Sequence, residues 1–190
     1  MGNPAIFNGR RTALLTPDGL KLKTGAAIDN DGDFNPIQNG HFEFLATPWA
    51  AYQDPPATTP SSGTGGSPAT TIARSTVAPL QGLASGLITK DAANRQGEGV
   101  SYLFTAPAAW AGQRVRVEFD FSASGNYNAT TETVDVYVYD VTNTALITPL
   151  TTLIPAGSGR FITEFDCTVS TSLRLCLHIS GTGTTAWTMK

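Results

Sequence analysis

Two histidines, two cysteines and a run of alternating aspartates are the residues of this 190-residue chain best suited to chemistry. Asp29, Asp31 and Asp33 in DNDGDF stand at alternate positions, as in a calcium loop of the EF-hand type. Such a loop needs Gly at its sixth position and a bidentate Glu at its twelfth, and Phe34 and Gly40 occupy them here. The segment therefore reads as an Asp/Gly turn. Cys176 and His178 offer two zinc ligands at best, and neither His41 nor His178 has the His-x-x-x-His or Cys-x-x-Cys spacing that would complete a site. His178 alternates with Leu173, Leu175, Leu177 and Ile179, so it reads as an exposed or interface histidine on the row opposite the core. Cys167 shares its row with Phe161 and Phe165, whereas Cys176 falls on the row opposite the leucines, and no disulfide between them is expected.

Reaction signatures are equally sparse. Ser85 in GLASG stands one position late for a Gly-x-Ser-x-Gly nucleophile elbow, and there is no phosphate-cradling Gly-x-x-x-x-Gly-Lys-Ser/Thr. Glycoside hydrolysis needs two carboxylates, which come from distant strands, but Glu118 and Asp120 share one wet strand face and read as solvated charges. Nothing here selects a reaction. The chain is expected to be non-enzymatic, with no cofactor and no metal.

The elements that would position any site are strands. GLITK, VSYLFTA, QRVRVEFDFSA, ETVDVYVYDV, RFITEFDC, SLRLCLHI and TAWTM are separated by turn residues, and apart from a short turn near KDAANRQ no window of helical period competes with them. Val115, Val117, Phe119 and Phe121 alternate with Arg114, Arg116, Glu118 and Asp120, which makes one face core and the other wet. VDVYVYDV is apolar on both faces, with Val134, Val136 and Val138 on one and Tyr137 and Tyr139 on the other. That pattern, with Val141, predicts a covered outer face and hence an oligomer, a homotrimer. Residues 54–71, DPPATTPSSGTGGSPATT, read as a long surface loop that buries nothing. The fold class is all-β: an antiparallel jelly-roll β-sandwich over residues 34–190, preceded by an extended N-terminal arm over residues 1–33.

Composition narrows the partners. A chain of this length buries roughly 70% of its unfolded surface and needs no disulfide. It is 41% hydrophobic and only 14% charged, with a net charge of -3 and pI near 5.2. Arg10 and Arg11 form its densest basic spot, which is no phosphate-binding surface, so no nucleic acid is expected. MGNPAIFNGRR has no apolar signal core, Ile6 stands where myristoylation wants Ser or Thr, and no apolar run reaches membrane-span length. A protein made in a cytoplasm, without a membrane partner, is expected. Within the arm, TPDGL suits a tight reversal, so residues 13–16 and 20–23 are expected to pair as a hairpin whose Leu14, Leu20 and Leu22 need a covering surface. Ile6 and Phe7 join them as candidate partner-binding residues.

NPIQNGHFE followed by Trp49 resembles the first strand of galactose-binding-like jelly rolls, including many carbohydrate-binding modules. That resemblance implies that Phe42 enters the core. In such domains the residue at Glu43 often helps ligate calcium with an acid near the last strand, and TTAWTMK has none. The longer match runs from DAANRQGEGVSYLFTAPAAWAGQRVRVEFDFSASGNY through VDVYVYDVTNTALITP to SLRLCLHISGTGTTAWTM. It looks like the jelly-roll domain of tailed-bacteriophage virion proteins, both tail fibres and capsid decoration (cement) proteins. PAIFNGRR...LLTPDGLKLKTG looks like the attachment arm of such proteins. The resemblance implies a virion structural protein on the capsid surface, with the phage major capsid protein and its own trimer mates as partners. Tail-fibre or adaptor protein is the second reading, and a glycan-binding module is the third. For a glycan, Trp49, Tyr52, Trp110 and Tyr127 are the candidate stacking platforms.

Overall fold

A computed structural model describes residues 36–37, 42, 46–147, 152–169 and 172–190 and, as strand backbone, residues 13–16 and 19–22. The chain divides into two compact units, Met1–Pro36 and Ile37–Lys190. In the first, β1 (Ala13–Thr16) and β2 (Gly19–Leu22) form an antiparallel hairpin. Thr16 pairs with Gly19, so the second strand begins one residue earlier than expected, because a two-residue connection closes a hairpin most readily. The register also sorts the leucines. Leu15 stands opposite Leu20 and Ala13 opposite Leu22, whereas Leu14 stands opposite Lys21. Ile6 and Phe7 lie outside the described residues, as do Asp29, Asp31, Asp33, His41 and Glu43.

The second unit is built from β3 (Ala50–Gln53), β4 (Thr71–Ser75), β5 (Ser85–Lys90), β6 (Glu98–Thr105), β7 (Arg114–Ser122), β8 (Val134–Asp140), β9 (Ala145–Leu146), β10 (Thr152–Leu153), β11 (Ser158–Asp166), β12 (Ser172–Ile179) and β13 (Trp187–Met189). All seven runs expected as strands are strands, and the one helical turn described is Ala108–Trp110. One sheet has the order β10-β8-β12-β6-β3, with β9 also paired to β8. The rest form β11-β7 and β13-β5-β4, which meet where Ser122 and Lys190 exchange backbone hydrogen bonds of 2.9 Å beside the Ala123–Met189 bridge. Every pairing is antiparallel; β4–β5 and β8–β9 join consecutive strands, whereas β3–β6, β6–β12, β8–β12, β7–β11 and β5–β13 bring together strands far apart in sequence, as in a jelly roll.

Alternation places the core. Val100, Tyr102 and Phe104 of β6, Val134, Val136 and Val138 of β8, and Leu173, Leu175, Leu177 and Ile179 of β12 form one wall. Phe121, Phe161, Phe165, Ile88, Trp187 and Met189 form the facing one. Each large aliphatic side chain removed from water here contributes about 1.5–3 kcal/mol. Val115, Val117 and Phe119 are half-buried against this core, and Phe119 stacks on Phe161 at 5.0 Å. The opposite face of β7 and β11 is the expected wet one, where Arg160 pairs with Glu118 at 2.8 Å and Asp120 at 2.9 Å, and Arg114 with Asp166 at 3.0 Å. Glu118 and Asp120 are thus held in cross-strand ion pairs. Both cysteines are buried and free, Cys167 in the main core and Cys176 on the other face of the sheet.

The two-sided apolar character of β8 is real, but its cover is not a second copy. Tyr137 is sealed under the chain's own residues 54–70, and Tyr139 lies beside its register partner Leu146. The apolar surface that argued for a trimer is therefore interior, and that argument for an oligomer falls away.

Candidate functional site

The outer face of the β10-β8-β12-β6-β3 sheet gathers polar side chains that the linear sequence scatters. Register sets Tyr52 opposite Gly99, Gly99 opposite His178, and His178 opposite Asp135, so these four make one row. Gly99 leaves the row open at its centre. A Cβ there would lie 2.8 Å from the Tyr52 hydroxyl and 2.3 Å from the Leu177 carbonyl, so only glycine lets the tyrosine ring cross to β12. Tyr52 then donates to Nδ1 of His178 at 2.8 Å, and the rings stack at 6.0 Å. The next row carries Ala50, Ser101, Cys176 and Tyr137.

Residues 54–70 lie across both rows as a strap. His178 donates from Nε2 to the Ala57 carbonyl at 3.0 Å, which leaves Nδ1 as the acceptor for Tyr52. Tyr137 donates to the Thr58 carbonyl at 2.9 Å, Ser101 to the Gly63 carbonyl at 2.7 Å, and Arg174 to the Ser62 carbonyl. Gly63, at φ +68°, passes so close to the sheet that a Cβ would stand 2.5 Å from Cys176 Sγ. Asp54 shapes the strap from its start by accepting from the Ser61 amide at 2.9 Å, the Ser62 amide at 3.1 Å, the Ser62 hydroxyl at 2.9 Å and the Gly63 amide at 2.9 Å. Glu98 closes its far end by accepting from Ala69 and Thr70.

Burial governs the chemistry of this face. Burial raises Tyr52 well above its ordinary value and pushes Cys176 up to about 12, so neither is an anionic nucleophile at neutral pH. Burial also lowers His178, against the Ala57 carbonyl and the charges of Asp54 and Asp135, which favour its protonated form. Burial alone would raise Asp54, but the hydrogen bonds from Gly63, Ser62 and Ser61 outweigh it and hold the carboxyl below its ordinary value. The result is a closed polar network. Tyr52→Phe is expected to lower stability by about 1–2 kcal/mol, because Nδ1 of His178 loses its donor in a dry site. Urea unfolding of the two proteins measures it, and equal midpoints would show that the bond contributes nothing.

The structure corrects several site expectations. His178 is fully buried rather than exposed, because the strap covers its row. Tyr52 is fully buried beneath that strap, and Tyr127 is interior, donating to the Ile154 carbonyl at 2.9 Å and lying edge-on to Trp187. Trp49 is half-buried between Phe42 and Tyr102, with centroids at 5.9 and 5.3 Å, and Trp110 packs on the main core. Of the four aromatics expected as glycan platforms, Tyr52 and Tyr127 are buried, and Trp49 and Trp110 are partly buried. Phe42 does enter the interior, over Gly86.

A second polar centre escaped the sequence reading. Lys90 and Glu132, both buried, pair at 2.9 Å. Lys90 also donates to the Asp91 and Thr185 carbonyls, and Glu132 accepts from the Thr185 amide and from Trp187 Nε1. The pair clamps the segment entering β13. Lys90 ends the row of Ile88 in GLITK and Glu132 leads the row of Val134, so both sat on inward positions at strand ends, where a charge reads as solvent-facing. Among the described residues no group of three or more His, Cys, Asp or Glu is placed to hold a metal ion, and no helix is long and apolar enough to cross a membrane.

The fold and this closed face define a jelly-roll β-sandwich domain. No protein-family model and no curated protein matches the chain. Among solved structures it is similar to the enzymatically active domain of tailspike protein 4 of bacteriophage CBA120, at 16% identity and a TM-score of 0.50, over 82% of this chain and 20% of that one. The chain thus spans about a fifth of that tailspike structure. Also similar are a structure described as CBM4 structure and function (16% identity, TM-score 0.46, 76% of this chain and 89% of that one) and the CBM22-1 xylan-binding domain of Paenibacillus barcinonensis Xyn10C (9%, 0.45, 77% and 90%). At these identities the likeness is one of fold.

Proposed function

We propose that this chain is a non-enzymatic structural protein of a tailed-phage virion, attached through residues 1–33 and displaying the jelly roll as a closed body. The observation that carries the reading is the strap. It seals the sheet face where Tyr52 and Tyr137 would otherwise offer ring surfaces, so that face holds neither ring open to a glycan. The arm hairpin supports an attachment role, since a two-stranded hairpin is marginal alone and gains order by pairing with or packing on a partner. The capsid surface is the first location in this reading, with the major capsid protein as partner. A tail location is the second reading, favoured by the shared fold with a phage tailspike.

Residues 34–190 alone are expected to keep a cooperative thermal melt yet fail to co-sediment with particles stripped of the native protein. The full chain carrying Leu20→Asp and Leu22→Asp is expected to behave likewise, because docking would bury two unpaired carboxylates. Binding by the truncated form would remove the arm from the proposal. Copy number in purified particles then separates the locations, since a capsid knob matches the number of capsid subunits and a tail protein falls far below it. Stronger retention on host-surface glycan than on particles would favour the glycan reading over both.

A further inference from the structure

The strap and the sandwich are held by different forces. The main core runs between the two sheets, whereas Tyr52, Tyr137, Tyr139 and Cys176 form a separate cluster on the outer face. Over that cluster the strap is fastened mainly by hydrogen bonds, through Asp54, Ser101, Tyr137, Arg174 and His178. A segment fastened this way opens at a lower free energy than the core it lies on. Of those fasteners His178 is the one whose unperturbed titration falls between about pH 5 and 8.

We propose that residues 54–70 form a strap that protonation of His178 unlatches, uncovering the face around Tyr52, Tyr137 and Cys176 while the sandwich stays folded. In the neutral ring Nε2 carries the proton given to Ala57 and Nδ1 receives that of Tyr52. A second proton turns Nδ1 from acceptor into donor, so the Tyr52 hydroxyl must reverse its own hydrogen, and it places a charge in a fully buried site that only opening can hydrate. The groups facing the ring are Tyr52 and Asp54 from the β3 side, Asp135 and Tyr137 from β8, and Cys176 and Arg174 on its own strand. β6 contributes Gly99, and beyond Asp54 the strap carries no charged residue. Asp54 and Asp135 favour the imidazolium and burial opposes it, with burial prevailing. A histidine lowered in the folded state contributes stability that is complete above its unfolded pKa, near 6.5, and is lost as pH falls below that value toward the folded pKa. Asp54, held below its ordinary 3.8, stays ionised through this window.

Cys176 lies directly beneath Gly63 and reports opening. In the full chain with Cys167→Ala, the rate of Cys176 modification by 4,4′-dithiodipyridine, a disulfide that reacts in acid, is measured between about pH 7.5 and pH 5. Divided by the rate of a free thiol at the same pH, it is expected to rise several-fold. In the Cys176→Ala chain, Cys167 in the main core is expected to stay protected, and His178→Gln should abolish the acid step at Cys176. Should that variant fail to fold, hydrogen exchange on the unmodified chain decides the matter: the Ser61, Ser62 and Gly63 amides should lose protection in acid while those of β12 keep theirs. A flat Cys176 profile, a parallel rise at Cys167, an acid step surviving in His178→Gln, or strap and β12 amides exchanging together would each overturn the proposal.

Discussion

Glu132→Ala in the full chain is expected to lower the unfolding free energy by about 3–5 kcal/mol, the range for breaking a buried pair from one side. Lys90 would stay buried with two carbonyls and no counter-charge, and the Thr185 amide and Trp187 Nε1 would lose their acceptor. The site has little room to adjust, because Gly183 already runs so near that a Cβ would come within 2.0 Å of Glu132 Oε1. Burial by itself would raise the Glu132 carboxyl, but the Thr185 amide and Lys90 outweigh it and keep it below its ordinary value. Replacing both partners together, Lys90→Met with Glu132→Leu, should restore most of the loss, since two apolar side chains leave no charge unpaired. Guanidinium unfolding of the three variants decides it. A loss below about 1 kcal/mol in Glu132→Ala would place the pair among weak surface bridges, against its burial.

Asp54→Ala is the next largest effect, about 2–4 kcal/mol, because three backbone amides and one hydroxyl lose an ionised acceptor at once. Its damage should fall on residues 54–70 rather than on the core. Asp54→Asn should recover part of the loss, as the amide oxygen accepts without charge. The pH dependence has a definite sign. A carboxyl lowered in the folded state contributes stability that is complete above its unfolded pKa and is lost as pH falls through the folded one, so the wild-type advantage over Asp54→Asn should shrink below about pH 4. An advantage unchanged from neutral pH down to strong acid would mean that the charge of Asp54 does not hold the strap.

Much of the fold was legible because it rests on period-two alternation, a property of neighbours in sequence. The inward rows of β7 and β12, the two-sided character of β8 and the separation of the two thiols all follow from which residue types recur at i and i+2, and the β1–β2 hairpin follows from the turn signal in TPDGL. The short strands were harder. β3 in AAYQ and β4 at the end of the Thr/Ser/Gly run offer too few residues for a pattern, and pairing with β6 and β5 makes them strands.

Alternation states that a side chain leaves a sheet on a given face, and the tertiary structure alone decides what meets it there. His178, Tyr52 and Tyr137 were assigned an outward or exposed place, and residues 54–70 return to cover them because one aspartate, one histidine and several hydroxyls satisfy the backbone of a segment with little apolar content. No local signal carries that information, since its partners lie up to 126 positions apart, as Tyr52 and His178 do. The same holds for Lys90 and Glu132, strand-end charges that no local pattern pairs and that topology sets against each other inside the fold. Sequence determined the strands, their faces and an all-β sandwich with an arm; long-range pairing decided which outward face is sealed, and so which polar groups are buried together, because desolvation and hydrogen bonding depend on distances that only the folded chain defines.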